Sequence, residues 1–172
     1  MDLNEYKEAK ELDLQRYGQM SHLKQYLIST DYRIVFHYRK CCYYRDKKWF
    51  RLLYFFERLW YNRLCVKYGC DIPSHAVIGP GLRIDHANGI VINSKAVIGK
   101  NATLKGGVVI GSNSKGVPTV GDNVLIGAHA LLIGKIIVGD NSSIGAGAIV
   151  VHDVPNRAVV VNQSATIIRI KE

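Results

Sequence analysis

From Ile72 onward an aliphatic residue returns every six positions, and that single period decides most of what the chain can fold into. The first series is Ile72, Ile78, Ile84 and Ile90. It slips by two and resumes as Ile92, Ile98, Leu104 and Ile110. After a four-residue insertion it resumes again as Val120, Ile126, Leu132, Val138, Ile144 and Val150. Glycine follows the aliphatic residue at Gly79, Gly99, Gly111, Gly121, Gly127, Gly139 and Gly145, and a small residue often stands two before it, as at Ala76, Ala96, Ala102 and Ala130. A helix repeats near 3.6 residues and a half-buried strand near 2, so neither template carries this pattern. Period six describes a short strand plus a corner. Three hexads close a triangular coil, and the inward aliphatic residue stacks on its equivalent about 4.8 Å away. The expectation is an all-β solenoid, a parallel β-helix of a little over four coils, filling residues 70–172.

Residues 1–69 read differently. Trp49, Leu52, Leu53, Phe56, Leu59, Trp60 and Leu64 recur at three- and four-residue steps and predict an amphipathic helix with one apolar stripe. Asp2 and Asp31 are expected as helix N-caps, and Gly69 as the stop before the coils. The segment Ser112–Pro118 reads as a loop leaving the coil stack. The four cysteines show no metal-binding spacing and are expected as buried, reduced thiols. The start of the chain has no signal-peptide pattern, and no apolar run approaches the roughly 20 residues of a membrane span. A cytoplasmic protein is expected, with a peripheral contact at the inner membrane face as an added role for its basic segment. The formal charge of +9 gathers in residues 32–68, with ten Lys or Arg against two Asp or Glu. Such a block suits an anionic membrane or a solvated helix face.

A solenoid has flat sides and no cleft of its own, so its chemistry must project from corners and loops. His86 stands out, in Arg83-Ile84-Asp85-His86-Ala87-Asn88-Gly89. It follows an inward aliphatic position by two and adjoins the register slip. A histidine there can take a proton near neutral pH. The other repeat-domain histidines, His75, His129 and His152, are too scattered for a metal triad, and no metal is expected. His22 and His37 fall in the helical part and are expected to be structural or solvated.

The residues Asp71-Ile72-Pro73, Ile78-Gly79-Pro80-Gly81, Asp85-His86-Ala87-Asn88-Gly89-Ile90-Val91, Ile126-Gly127-Ala128, Ile144-Gly145-Ala146-Gly147-Ala148 and Asp153-Val154-Pro155 resemble the serine acetyltransferase branch of the hexapeptide acyltransferases. The resemblance implies a left-handed coil and acetyl-coenzyme A as the co-substrate. It implies His86 as general base, with Asp71 orienting it. Asp85, Asp31 and Asn88 would line the acceptor pocket, and Gly111, Ser112, Ala128 and Ala146 the path of the pantetheine arm. His129 stands where the branch has a small residue. The chain departs from serine acetyltransferases at Gly116-Val117, where they carry an arginine and a histidine that grip the acceptor. Its helical part is shorter, and it ends at Ile167–Glu172 without their docking tail. Those departures resemble the capsule and exopolysaccharide acetyltransferases of the same branch. The implied function is O-acetylation of a sugar hydroxyl, free or on a lipid-linked glycan, and not of nucleic acid. Serine, expected to be poor, and another small hydroxyl compound are the alternative acceptors. A homotrimer is expected, extended to a hexamer if the helices pair.

Overall fold

The computed structural model describes residues 1–163. The segment Ile167–Glu172 and the end of the expected 70–172 domain lie outside them. From Ile78 to Val150 the inward aliphatic residues of the sequence pattern sit buried on two- or three-residue strands, except Ile90, which like Ile72 lies outside the strands. The strands stack in parallel into three flat faces. Face one holds β1 (Val77–Ile78), β4 (Val97–Ile98), β7 (Thr119–Val120) and β10 (Ile137–Val138). Face two holds β2 (Arg83–Asp85), β5 (Thr103–Lys105), β8 (Leu125–Ile126), β11 (Ser143–Ile144) and β13 (Val159–Val160). Face three holds β3 (Val91–Ile92), β6 (Val109–Gly111), β9 (Leu131–Ile133) and β12 (Ile149–Val150). The register is the hexad register: Ile84 pairs with Leu104, which pairs with Ile126. The core is therefore a column of Ile, Leu and Val with almost no exposure.

The corners explain the small residues. Asn101, Asn123 and Asn141 take left-handed angles, φ 55–57°, which asparagine tolerates better than most side chains. Their amides form a ladder: Asn101 Nδ2 donates to Asn123 Oδ1 at 3.1 Å, and Asn123 Nδ2 to Asn141 Oδ1 at 3.2 Å. At Gly99 a Cβ would meet the Gly121 carbonyl at 2.6 Å, so nothing larger than glycine lets those coils approach.

Four helices, α1 (Leu3–Gln15), α2 (His22–Ile28), α3 (Thr30–Arg45) and α4 (Arg51–Lys67), close the N-terminal end of the solenoid. That end presents strand groups with no coil below them, and the helices supply the missing partners. Tyr61 Oη donates to the Ile72 carbonyl (2.6 Å) and Tyr38 Oη to that of Ala76 (2.8 Å). Arg39, fully buried, donates to the carbonyls of Ile78 and Gly79 and, through Nε and Nη2, to Asp13. Asp13 in turn accepts the Leu82 N–H at 2.8 Å. The Tyr17 hydroxyl accepts the Ile84 N–H at 2.8 Å.

Two helix expectations need correction. Asp2 is an N-cap, in a capping box with Glu5, but Asp31 is not: Ser29 caps α3, and Asp31 lies in its first turn. The carboxylate of Asp31 is used elsewhere, as described below. The apolar stripe of α4 also does not face the core. The helix buries Glu57, Tyr61 and Cys65, four residues apart, while Trp49, Leu52, Phe56 and Trp60 are exposed. The reason is that α3 offers polar partners: Glu57 accepts from Lys40 at 2.6 Å and is bonded to His37 Nδ1. The histidines of the helical part are structural, His22 between Tyr32 and Glu11, His37 between Tyr26 and Glu57. The four thiols are free and buried.

Candidate active site

The register slip in the sequence is a physical bulge. Eight residues separate the inward Ile84 from Ile92, against six from Leu104 to Ile110. The extra length is accommodated at the corner between faces two and three, and His86 is its first residue. His86 has φ 60°, a left-handed angle unusual for a side chain of its size. The bulge folds on itself, with the Asn88 N–H donating to the His86 carbonyl at 2.6 Å. Its outer N–H groups are held from the helical layer. His86 N donates to Asp31 Oδ2 (3.1 Å) and Ala87 N to Asp31 Oδ1 (2.8 Å). Gly89 N donates to the Tyr68 carbonyl at 3.1 Å, so α3 and the end of α4 both pin the turn. The His86 side chain is left exposed.

Asp85 is the last residue of β2 and points out of face two. Arg83 Nε donates to its Oδ1 at 2.7 Å and Lys105 Nζ to its Oδ2 at 2.5 Å. Burial works against its charge, but the bonds from Lys105 and Arg83 outweigh it and hold the carboxyl below the usual aspartate range. Around it opens a pocket of about 400 Å³ lined by Arg16, Arg83, Asp85, Thr103, Lys105 and Leu125, among others. Arg16 Nη2 donates to Thr103 Oγ1 at 2.7 Å, while its Nε is buried without a partner among the described residues. The pocket thus carries three cations to one carboxylate.

The remaining predicted residues divide. Gly106, Ala128 and Ala146 follow β5, β8 and β11 at the position of His86, so Ala128 and Ala146 stand in one line above it along the corner. Gly111 and Ser112 stand at the far end of face three, where Asn93 Nδ2 donates to Ser112 Oγ at 3.2 Å. Within one chain the expected pantetheine positions therefore lie on two corners. Asp71 bridges Val91 at the foot of face three, and its carboxylate makes no hydrogen bond among the described residues. Asn88 is exposed on the bulge, its carbonyl accepting the Gly107 N–H at 2.7 Å. His129, at φ 58°, lays its ring over Gly107, where any Cβ would collide with it at 2.2 Å. No three His, Cys, Asp or Glu side chains gather into a metal site among the described residues.

Sequence reasoning missed Arg16, Arg83 and Lys105. Lys105 was available from the register: one coil plus the two-residue slip above Asp85 is position 105, its Cα partner. Arg16 left no such trace, because only tertiary packing brings the end of α1 to face two.

The family model for bacterial transferase hexapeptides (six repeats) matches residues 118–152. Over 104 residues the chain is 46% identical to the serine acetyltransferase of Mycobacterium tuberculosis, covering 58% of this chain and 45% of the relative. Over 175 residues it is 30% identical to serine acetyltransferase 2 of Arabidopsis thaliana, covering 99% of this chain and 51% of the relative. The crystal structure of Neisseria gonorrhoeae serine acetyltransferase in complex with serine superposes with a TM-score of 0.77 at 31% identity, covering 95% of this chain and 69% of that one. The chain spans about half the length of the curated relatives it matches.

These likenesses overturn the capsule-type reading and its sugar or lipid-linked acceptor. That reading rested on the shorter helical part, the missing tail and the missing arginine and histidine at Gly116-Val117. The loop cannot readily hold that arginine: Gly116 has φ 144°, and a Cβ there would press on Lys135 at 3.2 Å. The pocket around Asp85 is nonetheless supplied with cations, from Arg16, Arg83 and Lys105 on face two and α1. An acceptor bearing a carboxylate is therefore not disfavoured, as the loop alone had suggested. With the likeness extending through both the helices and the coils, the chain belongs to the hexapeptide-repeat acyltransferases, in their serine acetyltransferase-like group.

Proposed function

We propose that the protein transfers the acetyl group of acetyl-coenzyme A to the hydroxyl of L-serine. The observation that carries this reading is the bulge bearing His86, fixed by Asp31 and set beside a pocket with an excess of cations. His86 takes the proton of the serine hydroxyl as that oxygen attacks the thioester carbonyl. The tetrahedral oxyanion collapses, the carbon–sulfur bond breaks, and His86 returns the proton to the departing thiolate. The products are O-acetylserine and coenzyme A.

Serine also brings a carboxylate and an ammonium, and a buried charge without a partner is costly. Lys105 uses one N–H on Asp85 and Arg16 uses Nη2 on Thr103, so other N–H groups of both are left for the carboxylate. The Asp31 oxygens each accept one backbone N–H and, as carboxylate oxygens, have capacity for the ammonium. As the resemblance implies, Asp71, whose carboxylate makes no hydrogen bond among the described residues, would accept from the imidazole and set its tautomer. Ala128 and Ala146 leave the corner above His86 low enough for a pantetheine arm to lie against the coil.

Thiol release from acetyl-coenzyme A with and without L-serine tests the reading. A kcat/KM at or above about 10⁴ M⁻¹s⁻¹, the low end of ordinary enzyme efficiency, is expected. A rate equal to the serine-free background would overturn it.

A further inference from the structure

The helical layer holds a second cavity, of about 410 Å³, that acetyl transfer does not use. It lies among α2, α3 and α4 and is lined by Tyr26, Arg33, Trp60, Arg63, Lys67 and Tyr68 around Leu64. Three cations converge there and no acid does. None of the three forms an ion pair among the described residues. The one acid of α4, Glu57, is buried and already held by His37 and Lys40. Arg33 Nη2 donates to Thr30 Oγ1 at 2.7 Å, but its Nε is buried with no partner among the described residues. Like charges sharing one hollow repel, and an orphaned guanidinium N–H adds a desolvation cost. A bound anion relieves the repulsion. The walls are aromatic and set in place: the Tyr26 hydroxyl is bonded to His37 Nε2 at 3.0 Å, and Lys67 Nζ stands 5.4 Å from the centre of the Tyr68 ring.

We propose that this cavity binds a phosphate group carried on an apolar or aromatic body. Charge-assisted bonds from two guanidinium groups and an ammonium suit a phosphate ester, which offers more oxygens than a carboxylate and, as a monoester, more charge. Trp60, Tyr26 and Tyr68 flank the space left for the body. Two sources share this chemistry. A free nucleoside phosphate would stack its base on Trp60. An anionic lipid would place its headgroup in the cavity and its chains along the exposed Phe56 and Leu59 of α4. Occupancy would be felt at the bulge. The Tyr68 carbonyl holds Gly89, its hydroxyl lies 3.5 Å from Thr30 Oγ1, and the next residue, Asp31, holds His86.

The chain has two tryptophans, and Trp49 is 97% exposed, so Trp49→Phe leaves Trp60 as sole reporter without disturbing the core. That full-length variant is titrated with AMP, adenosine, inorganic phosphate, and vesicles of phosphatidylglycerol or phosphatidylcholine while Trp60 emission is followed. A saturable response to AMP assigns the free nucleotide, and one to phosphatidylglycerol vesicles alone assigns the lipid. In either case Arg63→Gln with Lys67→Gln, both at exposed positions, should weaken binding at least tenfold while circular dichroism is unchanged. No response to either would overturn the proposal. So would equal binding of adenosine or phosphatidylcholine, equal affinity for inorganic phosphate alone, or binding indifferent to the paired substitution.

Discussion

At the scale of single residues, position and reactivity are supplied by different groups. His86 is aimed by a backbone that another element holds, since Asp31 accepts both N–H groups at the head of the bulge. His86→Ala should lower kcat by about 10²–10⁴-fold, the usual contribution of a general base. Asp31→Ala should lower kcat by about 10²-fold, the scale of a misplaced catalytic group. The two are told apart by pH: Asp31→Ala keeps the imidazole and so keeps the shape of the pH–rate profile, whereas His86→Ala abolishes its base limb. Equal profiles in the two variants would refute this division. The bulge that carries His86 was legible in the sequence because it breaks the six-residue period. Asp31 was legible as an acid near a helix start and, through the resemblance, as an acceptor-pocket residue, but not as the group that holds the His86 backbone. Its true partner lies 55 residues on, across an interface that no local pattern encodes.

At the scale of elements, the strands were legible and the helix packing was not. A hexad fixes both the strand and its neighbour one coil away, so periodicity alone determines register. The stripe on α4 misled because the helices are a lid on the end of the solenoid, and a lid needs hydrogen-bonding groups as much as apolar ones. Tyr38, Tyr61, Arg39 and Asp13 do that work, and only the tyrosines have the look of core residues. Arg39→Ala would strip Asp13 of its partner in the interior and orphan the carbonyls of Ile78 and Gly79. Breaking such a buried pair costs about 3–5 kcal/mol, which a urea midpoint should register. The α3–α4 contact carries its own acid sensitivity. Burial disfavours the Glu57 charge, but the bonds from His37 and Lys40 prevail and hold its carboxyl below the usual glutamate range. With the folded value depressed, its contribution is complete above the unfolded value of about 4.3 and is lost as pH falls through the folded one. As pH falls from neutral through about 4.3 and below, the urea midpoint should fall further for the wild type than for Glu57→Gln. Parallel curves would place the acid sensitivity elsewhere.

At the scale of the whole molecule, the sides of the prism pose the last question. Face three turns Val91, Val109, Leu131 and Ile149 outward, and face one turns out Val77, Val97 and Ile137. Ile149 is 66% exposed and Val77 61%. Two flat apolar sides on one short chain amount to more than scattered surface residues. Packing three prisms about a three-fold axis covers such sides in a closed assembly. It also encloses the corner between faces two and three, where His86 stands and where one chain alone offers only an open edge. It would bring the Gly111–Ser112 end of a neighbouring copy toward the Ala128–Ala146 line, uniting the two halves of the expected pantetheine path. Light scattering should therefore return three times the 19.2 kDa chain mass. Leu131→Lys, at an outward position in the middle of face three, should give monomers with unchanged circular dichroism and little acetyl transfer. A Leu131→Lys monomer with full activity would show that the site is complete within one chain, and the shared corner would have to be abandoned.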